Sequence, residues 1–314
     1  MNVKVLIICL LLPVEAFAQG FSGLGTTAEG FATPTRGTTF AFPQDHGAHP
    51  EYRIEWWYVT ANMRGSDGQD YGLQWTLFRS ALAPETREGW DDPQVWMGHA
   101  AITTPTAHYV AERLARGGIG QAGAIAEPLD VWIDDWQFAG AFENAKLTAS
   151  GSDFAYDVTL ETTQPIVFHG DAGYSVKSAQ GRASYYYSQP FYDLTGTLTL
   201  PTGDVAVTGT AWLDREWSSQ PLSEDQTGWD WFSLSFDYGN KLMGFRLRQR
   251  DGSYFTSGTW IEPDGQATPL KDGQFLAEPM NLHQSPGASV PTEWRVQLPS
   301  RDLDVTVTAL NPNT

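Results

Sequence analysis

Apolar and polar residues alternate with a period of two along most of the chain, in short runs separated by turn residues. Gly72 to Arg79 (GLQWTLFR) alternates in this way, and so does Val95 to Thr103. Lys146 to Ala149 and Phe154 to Glu161 flank Ser-Gly-Ser, and Leu194 to Leu200 and Val205 to Leu213 flank Pro-Thr-Gly-Asp. Lys241 to Arg250 and Tyr254 to Ile261 flank Asp251-Gly252, a strong hairpin signal. A last strand is expected over Leu303 to Leu310. The only segment that reads as a helix is Ala107 to Ala115, stopped by Gly117-Gly118. Hairpin following hairpin, without alternating helices, predicts antiparallel barrels or sandwiches and excludes an α/β fold.

One stretch breaks the usual rule. In His49 to Val59 (HPEYRIEWWYV), Tyr52, Ile54, Trp56 and Tyr58 share one strand face, while Glu55, Trp57 and Val59 share the other with Glu51 and Arg53. Both faces are partly aromatic. A half-buried strand would solvate one face, so this one is expected to be buried on both, with either face lining a pocket.

Composition supports this picture. Thirteen Trp, 12 Tyr and 16 Phe give a β-rich, aromatic chain. Residues 1–18 have Lys4, an apolar run and Ala16-Phe17-Ala18, which reads as a signal peptide and predicts a periplasmic or secreted protein. The single Cys9 lies inside that segment, so no disulfide is expected. No later segment has the apolar length of a transmembrane helix. Residues 19–36 read as a flexible leader, and the remainder is long enough for two domains, 37–219 and 220–314. A net charge of −18 disfavours nucleic acid as a partner.

The clearest chemical signal is Thr208 to Trp217 (TGTAWLDREW). On a strand Trp212, Asp214 and Glu216 share a face, with the two carboxyls about 7 Å apart. Burial beside an indole would raise one carboxyl's pKa and let it donate a proton. In Gly228 to Phe236, Trp229 and Trp231 face one way while Asp230 faces the other with Phe232. His99, within VWMGHAAI, and Glu55 complete the titratable candidates. The expected catalytic set is Asp214, Glu216, His99, Glu55 and Asp230, and the expected substrate-binding set is Trp57, Trp212, Trp229 and Trp231. His46 and His49 lie in a loop without a full ligand set, so no metal is expected. Neither a G-x-S-x-G elbow nor a phosphate-cradling glycine loop is present, and no cofactor is expected.

Seven segments in order, HPEYRIEWWYVTANM, LQWTLFRSAL, WMGHAAIT, ERLARGGIGQAGA, VWIDDW, GTAWLDREWSSQ and GWDWFSLSFDYGNKLM, resemble secreted AttH-type proteins of the carotenoid 1,2-hydratase superfamily. The resemblance implies two lipocalin-like antiparallel β-barrels, the second incomplete at its C-terminal end. It also implies hydratase-like or hydrolase-like enzymes of apolar, lipid-like or isoprenoid-like substrates. A non-catalytic lipid carrier or chaperone of the envelope is the alternative. The first strand departs from the lipocalin G-x-W pattern, having Glu55-Trp56-Trp57.

Overall fold

The computed structural model describes residues 29–313 apart from 86, 221, 224, 286 and 287, so the expected signal segment with Cys9 lies outside the described residues. The chain opens with an antiparallel meander of β1 (Ile54–Gly65), β2 (Asp70–Ala81), β3 (Gln94–Thr103) and β4 (His108–Arg116). A second meander follows, with β5 (Ala122–Ile125), β6 (Leu129–Ile133), β7 (Trp136–Ala141), β8 (Asn144–Ser150) and β9 (Ala155–Glu161). Short β10 (Val167–Phe168) and β11 (Tyr174–Val176) lead into the two longest strands, β12 (Ala183–Leu200) and β13 (Gly203–Ser218). These two strands join the meanders into one antiparallel sheet ordered β4-β3-β2-β1-β13-β12-β9-β8-β7-β6-β5. The sheet curls until β6 packs beside β2, β3 and β4, giving a nearly closed, lipocalin-like barrel.

The inside of this barrel is filled. Trp57, Val59, Leu77, Trp75, Ile133 and Phe138 belong to a single buried cluster, with Trp57, Trp75 and Trp136 among the largest side chains fully removed from solvent. Alternation along each strand supplies these residues, and their volume leaves a core rather than a lumen. Gly98 of β3 leaves room for this packing, since a Cβ there would lie 2.8 Å from Ile133 Cγ2 and 3.1 Å from Trp136 Cζ3. Gly98→Val is therefore expected to cost about 1–3 kcal/mol through overpacking, read as a lower urea midpoint.

A smaller part follows, in two sheets. β14 (Gln226–Ser235), β15 (Lys241–Gln249), β16 (Tyr254–Ile261) and β17 (Ala267–Leu270) form the first, and β18 (Leu276–Ser285), β19 (Ala288–Leu298) and β20 (Leu303–Thr308) form the second. Phe232, Leu242, Trp260, Phe275, Val296 and Leu298 fill the space between them. On its other face the four-stranded sheet places Met243, Phe245, Leu247 and Phe255 against Val167, Tyr186 and Trp212 on the outside of the barrel. Barrel strands under this contact are buried on both faces, and residues 211–218 of β13 are buried without a break. This two-sided burial is the reason for the double aromatic pattern at residues 52–59.

Two expectations change. Residues 107–115 are not a helix but lie mostly in β4, paired with β3 through His99 and Glu112. Their Ala, Glu, Arg and Leu favour helix only weakly, and the open edge of β3 overrides that preference. The expected leader is also tied down where it is described, because Ala32 N–H donates to Glu51 O (3.0 Å) and Thr35 N–H donates to the Tyr185 hydroxyl (2.9 Å). No helix among the described residues is long and apolar enough to cross a membrane.

Candidate active groove

Where the four-stranded sheet covers the barrel, a cavity of about 500 Å³ remains between them. Its floor is a grid set by strand register. Across β3, β2, β1, β13 and β12 one row reads Met97, Phe78, Trp56, Glu216 and Tyr186, and the next reads His99, Thr76, Tyr58, Asp214 and Ser188. The roof carries Trp229, Trp231, Phe245 and Leu247, and Lys177, Arg182, Gln220 and Gln226 add polar groups. The size and the cluster of aromatic and aliphatic side chains in the walls suit a small apolar ligand.

The two carboxyls on β13 have different surroundings. Asp214 is 2% exposed, and among the described residues no cation bonds to it. Its Oδ1 accepts from Trp212 Nε1 (2.7 Å) and from the Ser188 hydroxyl, and the Tyr186 hydroxyl bonds the same carboxyl. Burial pushes its pKa up to about 7, against the pull of those donors and aided by the charge of Glu216. Glu216, 6% exposed, instead meets Lys177 Nζ at 2.9 Å and accepts from the Ser184 hydroxyl. The Lys177 ammonium also lies 4.5 Å from the Tyr186 ring and 4.2 Å from that of Phe245, bridging floor and roof. One carboxyl is thus arranged to hold a proton near neutrality, and its neighbour is matched to a cation. Such a pair can give a proton to a bound molecule and steer the charge that results.

The remaining candidates divide. Trp229, 48% exposed, and Trp231 stand on the roof, with the Trp231 ring 5.4 Å from that of Tyr58. Trp212 lies behind Asp214 as a donor and is not on the wall. His99 lines the far end of the floor, three strands and roughly 14 Å from Asp214, with Nε2 at 3.6 Å from Glu112 Oε1. The structure does not bring Glu55, Trp57 or Asp230 to the cavity. Trp57 is in the barrel core and donates to His46 O at 2.9 Å. Glu55 lies on the same inward face, wholly buried between Arg79 and Arg215. Asp230 turns into the space between the two smaller sheets and pairs with Arg246 (2.8 Å) and Arg248 (2.6 Å). Each of these acids is neutralised by cations on neighbouring strands.

The loop histidines are engaged by protein groups. His46 Nδ1 is 2.7 Å from the Tyr187 hydroxyl, and burial holds the ring's pKa down to about 3. His49 stacks on Trp217 at 4.0 Å, with its nitrogens near Glu55 (3.1 Å) and Asp45 (3.3 Å). Among the described residues no group of three or more His, Cys, Asp or Glu is placed to hold a metal.

Tyr58, Ser188, Tyr186 and Lys177 were not among the expected site residues. The run Ser184-Tyr-Tyr-Tyr-Ser-Gln189 carried the signal for two of them, since Ser184, Tyr186 and Ser188 share the face of a strand.

Solved structures resemble this chain in fold. One from Nitrosomonas europaea, assigned as an AttH, is 33% identical and superposes with a TM-score of 0.76, covering 85% of this chain and 84% of that one. Kievitone hydratase from Nectria haematococca is 13% identical, with a TM-score of 0.63, covering 86% of this chain and 81% of its own, and shares the fold. No curated protein sequence matches the chain. The AttH-like family model matches residues 33–314, and the chain belongs to that family.

Proposed function

We propose that the groove binds an elongated apolar molecule of lipid or isoprenoid type, and that Asp214 protonates a carbon–carbon double bond in it so that water can add. The observation that carries this reading is a buried carboxyl, without a bonded cation among the described residues and with its pKa pushed to about 7, opening on a cavity rich in aromatic side chains. The proton leaves the Asp214 oxygen for one alkene carbon, whose new C–H bond takes the π pair, and the neighbouring carbon becomes cationic. Trp56, Tyr58 and Trp231 offer ring faces to that charge. Water attacks the cation through an oxygen lone pair, and the resulting oxonium returns a proton to Asp214. One water adds across the double bond, and Asp214 is regenerated in its protonated form. The fold shared with a protein named as a hydratase supports the same chemistry. The signal-like residues 1–18 support export.

The test starts from ligand that copurifies with the protein from its native host, identified by native mass spectrometry. Incubated with fresh protein in heavy-oxygen water, that ligand is expected to gain one labelled water. Bound ligand that is released unchanged would favour a carrier and remove the catalytic reading.

A further inference from the structure

A hydrogen-bond chain runs from Asp214 past the edge of the groove, through residues that do not line it, and ends on the other sheet. Ser188 donates to Oδ1, His169 Nε2 lies 2.6 Å from Ser188 Oγ, and His169 Nδ1 lies 2.8 Å from Thr259 Oγ1. His169, Ser188 and Thr259 are all 0% exposed. Asp214, Ser188 and His169 belong to the barrel, whereas Thr259 is on β16.

We infer that His169 is a positioning residue for Asp214, aligning this chain so that Oδ1 stays an acceptor and Oδ2 is left to carry the transferable proton. This rests on the proposed role of Asp214 as the acid. Burial, with the charge of Lys177, holds the His169 ring well below its ordinary pKa, so it is neutral and has one donor and one acceptor. Two senses of the chain are then open. Trp212 decides between them, because an indole N–H can only donate, and it donates to Oδ1. A carboxyl oxygen that already accepts from Trp212 is a poor place for the acid proton. The consistent sense is Thr259 O–H to Nδ1, Nε2–H to Ser188, and Ser188 O–H to Oδ1.

The chain thereby stabilises the carboxylate and limits how far burial raises it. The other titratable groups around Asp214 are Glu216 on its own strand, Tyr58 from β1 and Tyr186 from β12, with Lys177 beyond Glu216. The four-stranded sheet brings Thr259, through His169, and Trp231, whose Nε1 donates to the Tyr186 hydroxyl at 3.2 Å. A buried histidine that only filled space would give stability but would not govern a carboxyl two bonds away.

Titration separates these roles without any substrate. In protein labelled at aspartate carboxyl carbons, the Asp214 signal is identified by its loss in Asp214→Asn, and its midpoint is followed by NMR. Ser188→Ala is expected to raise that midpoint by about one pH unit or more, the size of a lost hydrogen bond to a charged group. Thr259→Val is expected to raise it by less, Thr259→Ser to restore it, and Thr259→Val on the Ser188→Ala background to add nothing. An unchanged midpoint in folded Thr259→Val would overturn the inference, as would full additivity in the double variant. Because the titration measures no turnover, a shifted midpoint would leave the chain standing even where the incubation in heavy-oxygen water shows no hydration and so refutes the proposed function.

Discussion

Asp214→Asn is expected to lower turnover of the copurified ligand by about a hundredfold or more, the usual size of a lost general acid. Ligand affinity should hardly move, since the amide keeps the shape, accepts from Ser188 and Trp212 through its oxygen, and stays uncharged like the acid it replaces. In the parent protein, activity should fall as pH rises through about 7, where Asp214 loses its proton. Stability should fall over a lower range, as pH rises from about 4 to about 7. The unfolded carboxyl ionises near 4, whereas the folded one keeps its proton to about 7, so between these values the native state binds more protons and is weakened by rising pH. The difference amounts to something on the order of 4 kcal/mol once both forms have ionised. Asp214→Asn should remove this slope, and urea melts at pH 5 and pH 8 would check it. A variant that loses activity and also much stability at pH 5 would instead mark Asp214 as structural.

Glu55→Gln should have the opposite profile: a large loss of stability and little direct effect on chemistry. Glu55 accepts from Arg79 Nε, from Arg215 Nη2 at 2.8 Å and from the His49 amide at 2.8 Å, and Arg215 lies 3.8 Å over the Trp57 ring. Removing its charge leaves two guanidinium groups in the barrel end without their shared anion, at a cost of about 3–5 kcal/mol. After burial, which raises it, the charges of Arg79 and Arg215 dominate and hold the Glu55 carboxyl well below its usual range. Its stabilisation is therefore present above the unfolded value and lost only as pH falls through the depressed one. Acid unfolding of the parent protein, compared with a shallower acid limb in Glu55→Gln, would reveal the contribution.

The contrast between these two acids marks what the sequence could disclose. Period-two alternation was enough to set Asp214 and Glu216 on one face with Trp212, and to put Asp230 on the face opposite Trp229 and Trp231. It could not say which face of a barrel strand points inward. Glu55 was therefore as eligible as Asp214, because its partners Arg79 and Arg215 stand 24 and 160 residues away and nothing local announces them. The misread helix at residues 107–115 has the same origin, since β4 owes its form to pairing with β3. His169 and Thr259, 90 residues apart, meet only because the two sheets dock. The strands of the fold were largely local in origin, whereas the site is a product of long-range contact.

The cavity lies against the outside of a barrel whose interior is already full of tryptophan. Folding and recognition are consequently assigned to opposite faces of the same strands. Trp229 and Trp231 can be exchanged for other shapes without opening a hole around Trp57 or Trp75, so ligand preference can drift across a lineage while the packing inside the barrel is kept. Variants selected for new ligands should accordingly collect their changes in β14 and β15, and should leave the inward residues of β1 and β2 as they are.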